Sequence, residues 1–228
     1  MFVLENVTKR YARRGKEVVA FRAEQLEISK GSYTAVVGPS GSGKTTLLSL
    51  LGGMLSPTEG RLLFNGQSLY DMSVAERTRL RRTRIGFVFQ TFNLVPYLSA
   101  LENVQVPLSL VGQPAGLQRQ HAVDLLNDVG LSDRLDHKPC ELSVGQQQRV
   151  ALARTMANEP EVILADEPTG NLDPESRATV LGFFEELHNR GVTIVTVTHD
   201  TAAAARAKSR LSLRDGVLAL DDQFQRAA

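Results

Sequence analysis

The chain has 228 residues and a nearly balanced charge, with 26 lysines and arginines against 25 aspartates and glutamates. This length is sufficient for one α/β domain with an inserted lobe. The net charge of +1 creates no global field that would favour nucleic acid or anionic lipid. The single cysteine, Cys140, excludes an intrachain disulfide framework and suits the cytosol. No run of 18 apolar residues appears, so any membrane-spanning part is expected in another chain.

The N-terminal part of the chain is predicted to be β-structure. Residues 2–8, 18–28 and 61–65 have strand-like composition, and the last of these is followed by the turn signal Asn65-Gly66. The first residues do not resemble a signal peptide, because the charged Glu5 follows almost immediately. They are predicted to form an edge strand instead.

A Gly-rich segment matches the phosphate-binding loop pattern G-x-x-x-x-G-K-[ST] at every position. It lies between a predicted buried strand, 32–37, and a helical pattern that begins after Gly43. Backbone N–H groups of such a loop can approach a polyphosphate closely, and the helix N-terminus adds its positive dipole end. This context favours a nucleotide site over a chance Gly/Ser-rich turn. The candidate nucleotide-binding residues are Gly38, Pro39, Ser40, Gly41, Ser42, Gly43, Lys44, Thr45 and Thr46.

Two of these side chains have specific expected roles. Lys44 is predicted to reach the β- and γ-phosphates of a nucleoside triphosphate as a point charge. The hydroxyl of Thr45 is predicted to bind Mg²⁺.

Five arginines precede a predicted strand at 85–89 and lie on a probable helix. A nucleic-acid patch would usually bring wider positive charge and stacking aromatics, so a solvated helix face that could also meet a partner is the favoured interpretation. The arginines are Arg77, Arg79, Arg81, Arg82 and Arg84.

The strand at 85–89 ends in Gln90, whose neutral amide could coordinate Mg²⁺ or orient water without adding charge. The next eight residues, 91–98, are uncharged. They either pack into the neighbouring lobe or form an exposed apolar dock for a helix of a membrane partner. Their position directly after Gln90 favours docking.

Residues 91–158 are predicted to form a helical lobe inserted into a core that comprises residues 1–90 and 159–228. Apolar residues recur near helical spacing over 101–110, 117–129 and 145–157. The last helical pattern begins with a Ser-Gly-Gln segment that has no obvious function within its own subunit. That segment is Leu142-Ser143-Val144-Gly145-Gln146.

Two carboxylates follow the short apolar strand 162–165. Asp166 is predicted to hold the water shell of Mg²⁺, and Glu167 to act as the general base that polarises an attacking water. The alternative is an Asp-Glu pair that caps the turn before Pro168, and the phosphate loop makes the catalytic role the better interpretation. A β-branched strand, 192–198, ends at His199, which is either a contact to the γ-phosphate or a structural residue.

In this order, these features resemble the ATPase subunit of ABC transporters, from Phe2 to about Asp221. The resemblance implies an α/β fold with a phosphate-loop (RecA-like) core, an N-terminal antiparallel β subdomain and an inserted helical lobe. It also implies a homodimer that sandwiches two ATP molecules, each between one subunit's phosphate loop and the other's signature. The motifs that carry it are the phosphate loop, Gln90, the 142–146 signature, 162–167, Asn171-Leu172-Asp173 and His199.

The resemblance assigns further roles by position. Tyr11 falls where the family stacks an aromatic ring on adenine, and Asp173 falls in the dimer-interface loop. Ser143 and Gly145, with Gln146, would clasp the γ-phosphate of the partner subunit's ATP. Val144 departs from the usual Leu-Ser-Gly-Gly-Gln signature. Its β-branched side chain restricts φ and ψ and adds bulk, so we expect an effect on the rate and affinity of the clasp.

A narrower resemblance extends to the subgroup that includes the lipoprotein-releasing LolD, the macrolide exporter MacB and the cell-division ATPase FtsE. It implies an Mg²⁺-dependent ATPase that drives separate transmembrane permease subunits from the cytoplasmic face of the inner membrane. No nucleic-acid partner is expected. The alternative is a soluble ABC-type ATPase that acts on ribosomes or DNA. Such proteins usually carry two ATPase halves or long coiled-coil insertions, and the signature argues against a phosphate-loop kinase. The matching segments are 51–54, 57–60, 85–90, 101–104, 107–108 and 166–173.

Overall fold

A computed structural model describes residues 1–13 and 15–220, so residues 221–228 of the predicted core lie outside the described residues. This part of the chain contains ten strands and seven α-helices. The strands are β1 (Phe2–Arg13), β2 (Lys16–Ile28), β3 (Tyr33–Val37), β4 (Glu59–Phe64), β5 (Gln67–Ser68), β6 (Ile85–Phe89), β7 (Val162–Asp166), β8 (Thr193–Thr198), β9 (Ser209–Arg214) and β10 (Val217–Leu220). The helices are α1 (Lys44–Leu51), α2 (Val74–Thr83), α3 (Ala100–Leu110), α4 (Ala115–Asp128), α5 (Val144–Met156), α6 (Pro174–Asn189) and α7 (Thr201–Ala204).

All ten strands join one sheet in the order β5-β4-β1-β2-β10-β9-β3-β8-β7-β6. Strands β3, β8, β7 and β6 are parallel neighbours and are mostly buried, as expected for strands covered on both faces. Their register aligns Phe89 with Asp166 and Asp166 with Val197. The residues that follow β6, β7 and β8 therefore emerge side by side at the carboxyl edge of the sheet, where open α/β sheets place their ligands.

The antiparallel part of the sheet differs from the sequence prediction in one respect. Strand β1 is not an edge strand, because it pairs with β2 on one side and β4 on the other. Phe2 and Leu4 are fully buried in the main apolar cluster, which explains why this strand is covered. The predicted turn at Asn65-Gly66 is confirmed: both residues have positive φ, as a two-residue hairpin between β4 and β5 requires.

Helices α3, α4 and α5 start and end within two residues of the three predicted helical segments. They share a separate buried apolar cluster to which Val104, Leu126 and Val150 contribute. The division of the chain at residues 91 and 158 remains a prediction. None of the described helices is long and apolar enough to cross a membrane.

Most arginines of the predicted basic cluster form hydrogen bonds or ion pairs with other residues of the same chain. Arg77, Arg81 and Arg82 donate hydrogen bonds to backbone carbonyls of Met72, Gly53 and Leu110 at 2.6–2.9 Å. Arg84, just after α2, forms an ion pair of 3.1 Å with Glu161. Four of the five arginines therefore contact other segments of the same chain and help to hold α2 and the start of β6 in place.

Candidate nucleotide site

The phosphate loop connects β3 to α1 and is packed tightly against other backbone segments. Gly43 has a φ of 105°, and a Cβ placed there would lie 2.1 Å from the carbonyl oxygen of Ala20. Only glycine fits this position, for both conformational and steric reasons. Lys44 follows it as a buried residue, and its ammonium donates to the carbonyls of Gly38 at 2.8 Å and Pro39 at 3.1 Å. The lysine charge is therefore held inside the loop.

This loop forms the floor of a cavity of about 500 Å³. The cavity brings together most of the predicted site residues from four parts of the chain. Its lining comprises Val18, Val19, Ala20, Ser40, Gly41, Gly43, Lys44, Thr45, Thr46, Gln90, Asp166, Glu167 and His199.

The oxygen atoms of Thr45 and Asp166 form a pair suited to Mg²⁺. The Thr45 hydroxyl donates to a carboxylate oxygen of Asp166 at 2.9 Å. Burial raises the pKa of Asp166, and the hydrogen bond from Thr45 opposes that rise. The described residues contain no cluster of three or more His, Cys, Asp or Glu side chains that could hold a metal. This donor set fits an ion bound by one carboxylate, one hydroxyl and substrate phosphates, which is the usual Mg²⁺ arrangement at phosphates.

Glu167 is held over the loop by charged and polar neighbours. Its side chain is 13% exposed, and one carboxylate oxygen lies 3.7 Å from the Lys44 ammonium and 2.9 Å from Nδ1 of His199. The other oxygen accepts a hydrogen bond from the backbone N–H of His199 at 3.3 Å. The backbone φ of Glu167 is 45°, a conformation that residues other than glycine rarely adopt and that is concentrated at functional sites.

Gln90 lies at the cavity wall and also contacts the loop that precedes α6. Its side-chain amide donates to Oδ1 of Asn171 at 3.4 Å, and Asn171 donates back to the backbone carbonyl of Gln90 at 3.3 Å. The end of β6 is thereby connected to the 171–173 loop, which the sequence analysis had treated as a separate motif.

Two valines that the sequence analysis missed complete the cavity. Val18 and Val19 on β2 are 47% and 39% exposed and line it. Tyr11 is not among the lining residues, but it lies opposite Val18 in the β1–β2 register and its ring is exposed.

The signature residues do not line this cavity in the part of the chain that the structure describes. Ser143 is the exposed N-cap of α5, and its hydroxyl oxygen accepts a hydrogen bond from the backbone N–H of Gln146 at 3.2 Å. The side-chain oxygen of Gln146 accepts a hydrogen bond from the Ser143 backbone N–H at 2.9 Å. Asp173 is the N-cap of α6, and its carboxylate accepts hydrogen bonds from the backbone N–H groups of Glu175 and Ser176. Val144 is the first helical residue and is 46% exposed, so its β-branched side chain neither strains the backbone nor fills the capping site.

Comparison with known proteins agrees with this geometry. The ABC transporter family model matches residues 21–170. An uncharacterised ABC transporter ATP-binding protein of Thermotoga maritima is 46% identical over 93% of this chain and 91% of its own length. The macrolide export ATP-binding/permease protein MacB of Hyphomonas neptunium is 45% identical over 99% of this chain, which spans only 35% of that relative.

The fold also matches a solved structure. The ATP-binding cassette MJ0796, described as a dimer in a post-hydrolysis state bound to ADP and Pi, is 39% identical, covers 98% of this chain and 99% of its own, and has a TM-score of 0.91. The predicted fold class and the resemblance to the MacB subgroup are confirmed. The chain is therefore an ATPase that belongs to the ABC transporter family.

Proposed function

We propose that two copies of this chain enclose two ATP molecules and drive a separate membrane protein. One observation carries the dimer: Ser143 is exposed at the start of α5, outside the cavity that contains its own phosphate loop. A second copy in head-to-tail orientation would bring its Ser143 and the N-terminus of its α5 to the γ-phosphate. The MJ0796 cassette, whose structure is described as dimeric, supports the formation of a dimer.

Within each site, the residues divide the chemistry of ATP hydrolysis. Lys44 and the backbone N–H groups of the phosphate loop bind the phosphates, and Glu167 accepts a proton from the attacking water. One carboxylate oxygen of Glu167 lies 3.7 Å from the Lys44 ammonium and 2.9 Å from Nδ1 of His199, so the side chain is held at the phosphate end of the cavity. Mg²⁺, held by Thr45, Asp166 and Gln90, would neutralise charge on the β- and γ-phosphates.

The adenine ring is expected to lie against Tyr11 and the exposed valines of β2. Tyr11 and Val18 are register partners, so their side chains can form one apolar surface beside the loop. Stacking of a base on an aromatic ring contributes about 1–3 kcal/mol.

A groove beside β6 is our candidate contact for the membrane partner. It has a volume of about 440 Å³ and includes Phe87, Phe89, Leu110 and Arg154. Arg154 also donates hydrogen bonds to the carbonyls of Phe92 at 2.7 Å and Asn93 at 2.6 Å, directly after Gln90. A helix seated in this groove would therefore contact a side chain that holds the segment next to the ATP site. The MacB relatives combine ATP-binding and permease parts by name, which supports a permease as the partner of this chain. The chain would then bind that permease from the cytoplasmic face of the membrane.

The structure divides the predicted docking segment 91–98 into two parts. Leu94 is partly buried and packs against the apolar cluster of α3–α5, so a charged residue at this position would also disturb the packing of the lobe. Tyr97 is 83% exposed, although it is a large aromatic residue. Tyr97 does not line the groove beside β6, so we keep it as a second candidate contact for the same partner.

Replacement of Tyr97 by Glu is expected to uncouple the ATPase from its membrane partner. A charge buried at the interface without a counter-ion should lower partner-stimulated hydrolysis by about tenfold or more. Basal hydrolysis and thermal unfolding of the isolated chain should not change, because the side chain is exposed. Tyr97→Phe is the matched control and should retain coupling. A Tyr97→Glu protein that still binds its partner and responds to it would contradict docking at this residue.

Val144→Gly is expected to preserve or raise the ATPase rate. The valine side chain is exposed and helical, so its removal opens no cavity and relieves bulk beside the proposed phosphate clasp. Steady-state turnover at saturating ATP is the measurement. A large fall in rate would mean that this signature specifically requires valine.

Purification from solubilised membranes tests the membrane partner. We expect the chain to co-purify with a protein that has a few membrane spans and a large extracytoplasmic domain. Recovery with ribosomes or DNA, and with no membrane protein, would contradict the proposal and favour the soluble alternative.

A further inference from the structure

The first turns of α5 contact the segment that begins with Glu167. In the proposed dimer, these two parts of one subunit act on different ATP molecules. The exposed Ser143 end would face the partner subunit's ATP. Gly145 and Gln148, three residues apart and so on one face of the helix, are both buried. That face packs against residues 167–176 of the same subunit, the segment that begins with Glu167.

Gln148 makes the closest polar contact between these two parts. Its side chain is fully buried, and its amide donates a hydrogen bond of 2.8 Å to the carbonyl oxygen of Pro168. Pro168 directly follows Glu167. The Pro168 carbonyl can only accept, so the amide must present its nitrogen to it. The Gln148 side-chain oxygen then has no hydrogen-bond partner in the described structure. A buried amide that is only half satisfied is costly for stability alone, which indicates another reason for its presence.

Gly145 determines how closely the start of α5 packs against α6. A Cβ at Gly145 would lie 2.2 Å from the hydroxyl oxygen of Ser176 and 2.8 Å from its Cβ. Helix α5 can therefore approach α6 this closely only with glycine at position 145. The signature end of α5 therefore lies directly against α6, the helix that begins seven residues after Glu167.

We propose that Gln148 is a positioning residue that transmits the docking of the signature on one ATP to Glu167 at the other. When α5 moves towards the partner's phosphate, the hydrogen bond from Gln148 moves Pro168 with it or holds Pro168 in place. Because Pro168 is bonded directly to Glu167, the position of the general base changes or is fixed accordingly. This inference rests on the proposed dimer. It assigns Gln148 an effect on the hydrolytic step at its own subunit's ATP, without contact to either nucleotide.

The test compares Gln148→Met with Gln147→Met. Methionine has a similar length to glutamine but cannot donate to Pro168. Gln147 is the matched control, because its amide bonds only locally to the Leu142 carbonyl at 3.1 Å. We expect Gln148→Met to lower kcat by about tenfold, since small misplacements of catalytic groups have effects of this size or larger. The KM for ATP should stay within about twofold, as for an interaction used only in the transition state.

A second readout separates positioning from general damage. In a Glu167→Gln background, Gln148→Met should form the ATP-dependent dimer at the same ATP concentration as Glu167→Gln alone. The inference is overturned if Gln148→Met keeps the kcat of Gln147→Met, or if its kcat falls only together with dimer formation. Absence of any ATP-dependent dimer with Gln148 intact would instead contradict the proposed function.

Gln148→Glu provides the test if Gln148→Met does not fold. Only a protonated carboxyl group can donate to the Pro168 carbonyl, and burial raises the pKa of such a group. The kcat of Gln148→Glu relative to wild type should therefore rise as the pH falls from about 8 to about 6. A ratio that is independent of pH would overturn the inference.

Discussion

Glu167→Gln is expected to abolish steady-state ATP turnover while ATP still binds. Removal of a general base costs about 10²–10⁴-fold in rate. Glutamine preserves the size of a side chain that is only 13% exposed and in contact with Lys44 and His199, so the cavity should keep its shape. It also removes the negative charge next to the γ-phosphate. ATP should therefore hold the variant as a dimer that cannot proceed to ADP.

Glu161→Gln is the matched control for this variant. Glu161 directly precedes β7, whereas Glu167 directly follows it, so the two glutamates lie at opposite ends of this strand. The carboxylate of Glu161 forms an ion pair with Arg84. The control removes an ion-paired glutamate that also adjoins β7 but does not line the cavity. Its turnover should match wild type. Glu167→Gln turnover within a few-fold of wild type would contradict the role of general base.

Lys44→Ala is expected to weaken ATP binding itself. The lysine ammonium would meet phosphates in the ground state as well as in the transition state, and hydrogen bonds to charged groups contribute about 1.5–3 kcal/mol. This corresponds to a loss of affinity of about tenfold to 100-fold. The substitution also leaves the carbonyls of Gly38 and Pro39 without their donor, so the loop itself should lose order.

Nucleotide titration measures this effect, and Lys30→Ala controls for charge. Lys30 is an exposed residue in the turn before β3, so its removal changes the net charge by the same amount away from the loop. Lys30→Ala should bind ATP as wild type does. Unchanged affinity in Lys44→Ala would show that the phosphates bind elsewhere.

Much of the site was predictable from the sequence because its parts are local motifs at strand ends. The phosphate loop, Gln90, Glu167 and His199 each follow a short apolar strand, and parallel pairing alone brings such residues to one edge. The start of α5 was also visible, because the Ser-Gly-Gln segment precedes a helical pattern, whereas helix α6 after Asp173 was not predicted.

Most of the misses have a common physical cause, since they depend on contacts between distant segments. The sequence of β1 does not show that both of its edges are paired, so it was predicted to be an edge strand. Strands β9 and β10 were not predicted, although Leu211 and Leu213 alternate with polar residues. Neither the position of Val18 beside the loop nor the bond from Gln148 to Pro168 is marked by a local pattern.

The central claim is that the signature of one subunit binds the ATP of the other, and Ser143→Arg tests it most directly. The measurement is the mass in solution of Glu167→Gln and of Glu167→Gln with Ser143→Arg, each with ATP. Ser143 is exposed and outside its own cavity, so we predict that both proteins bind ATP equally as monomers and that only the first forms a dimer. An ATP-dependent dimer that survives Ser143→Arg, or a loss of ATP binding by the monomer, would contradict the account.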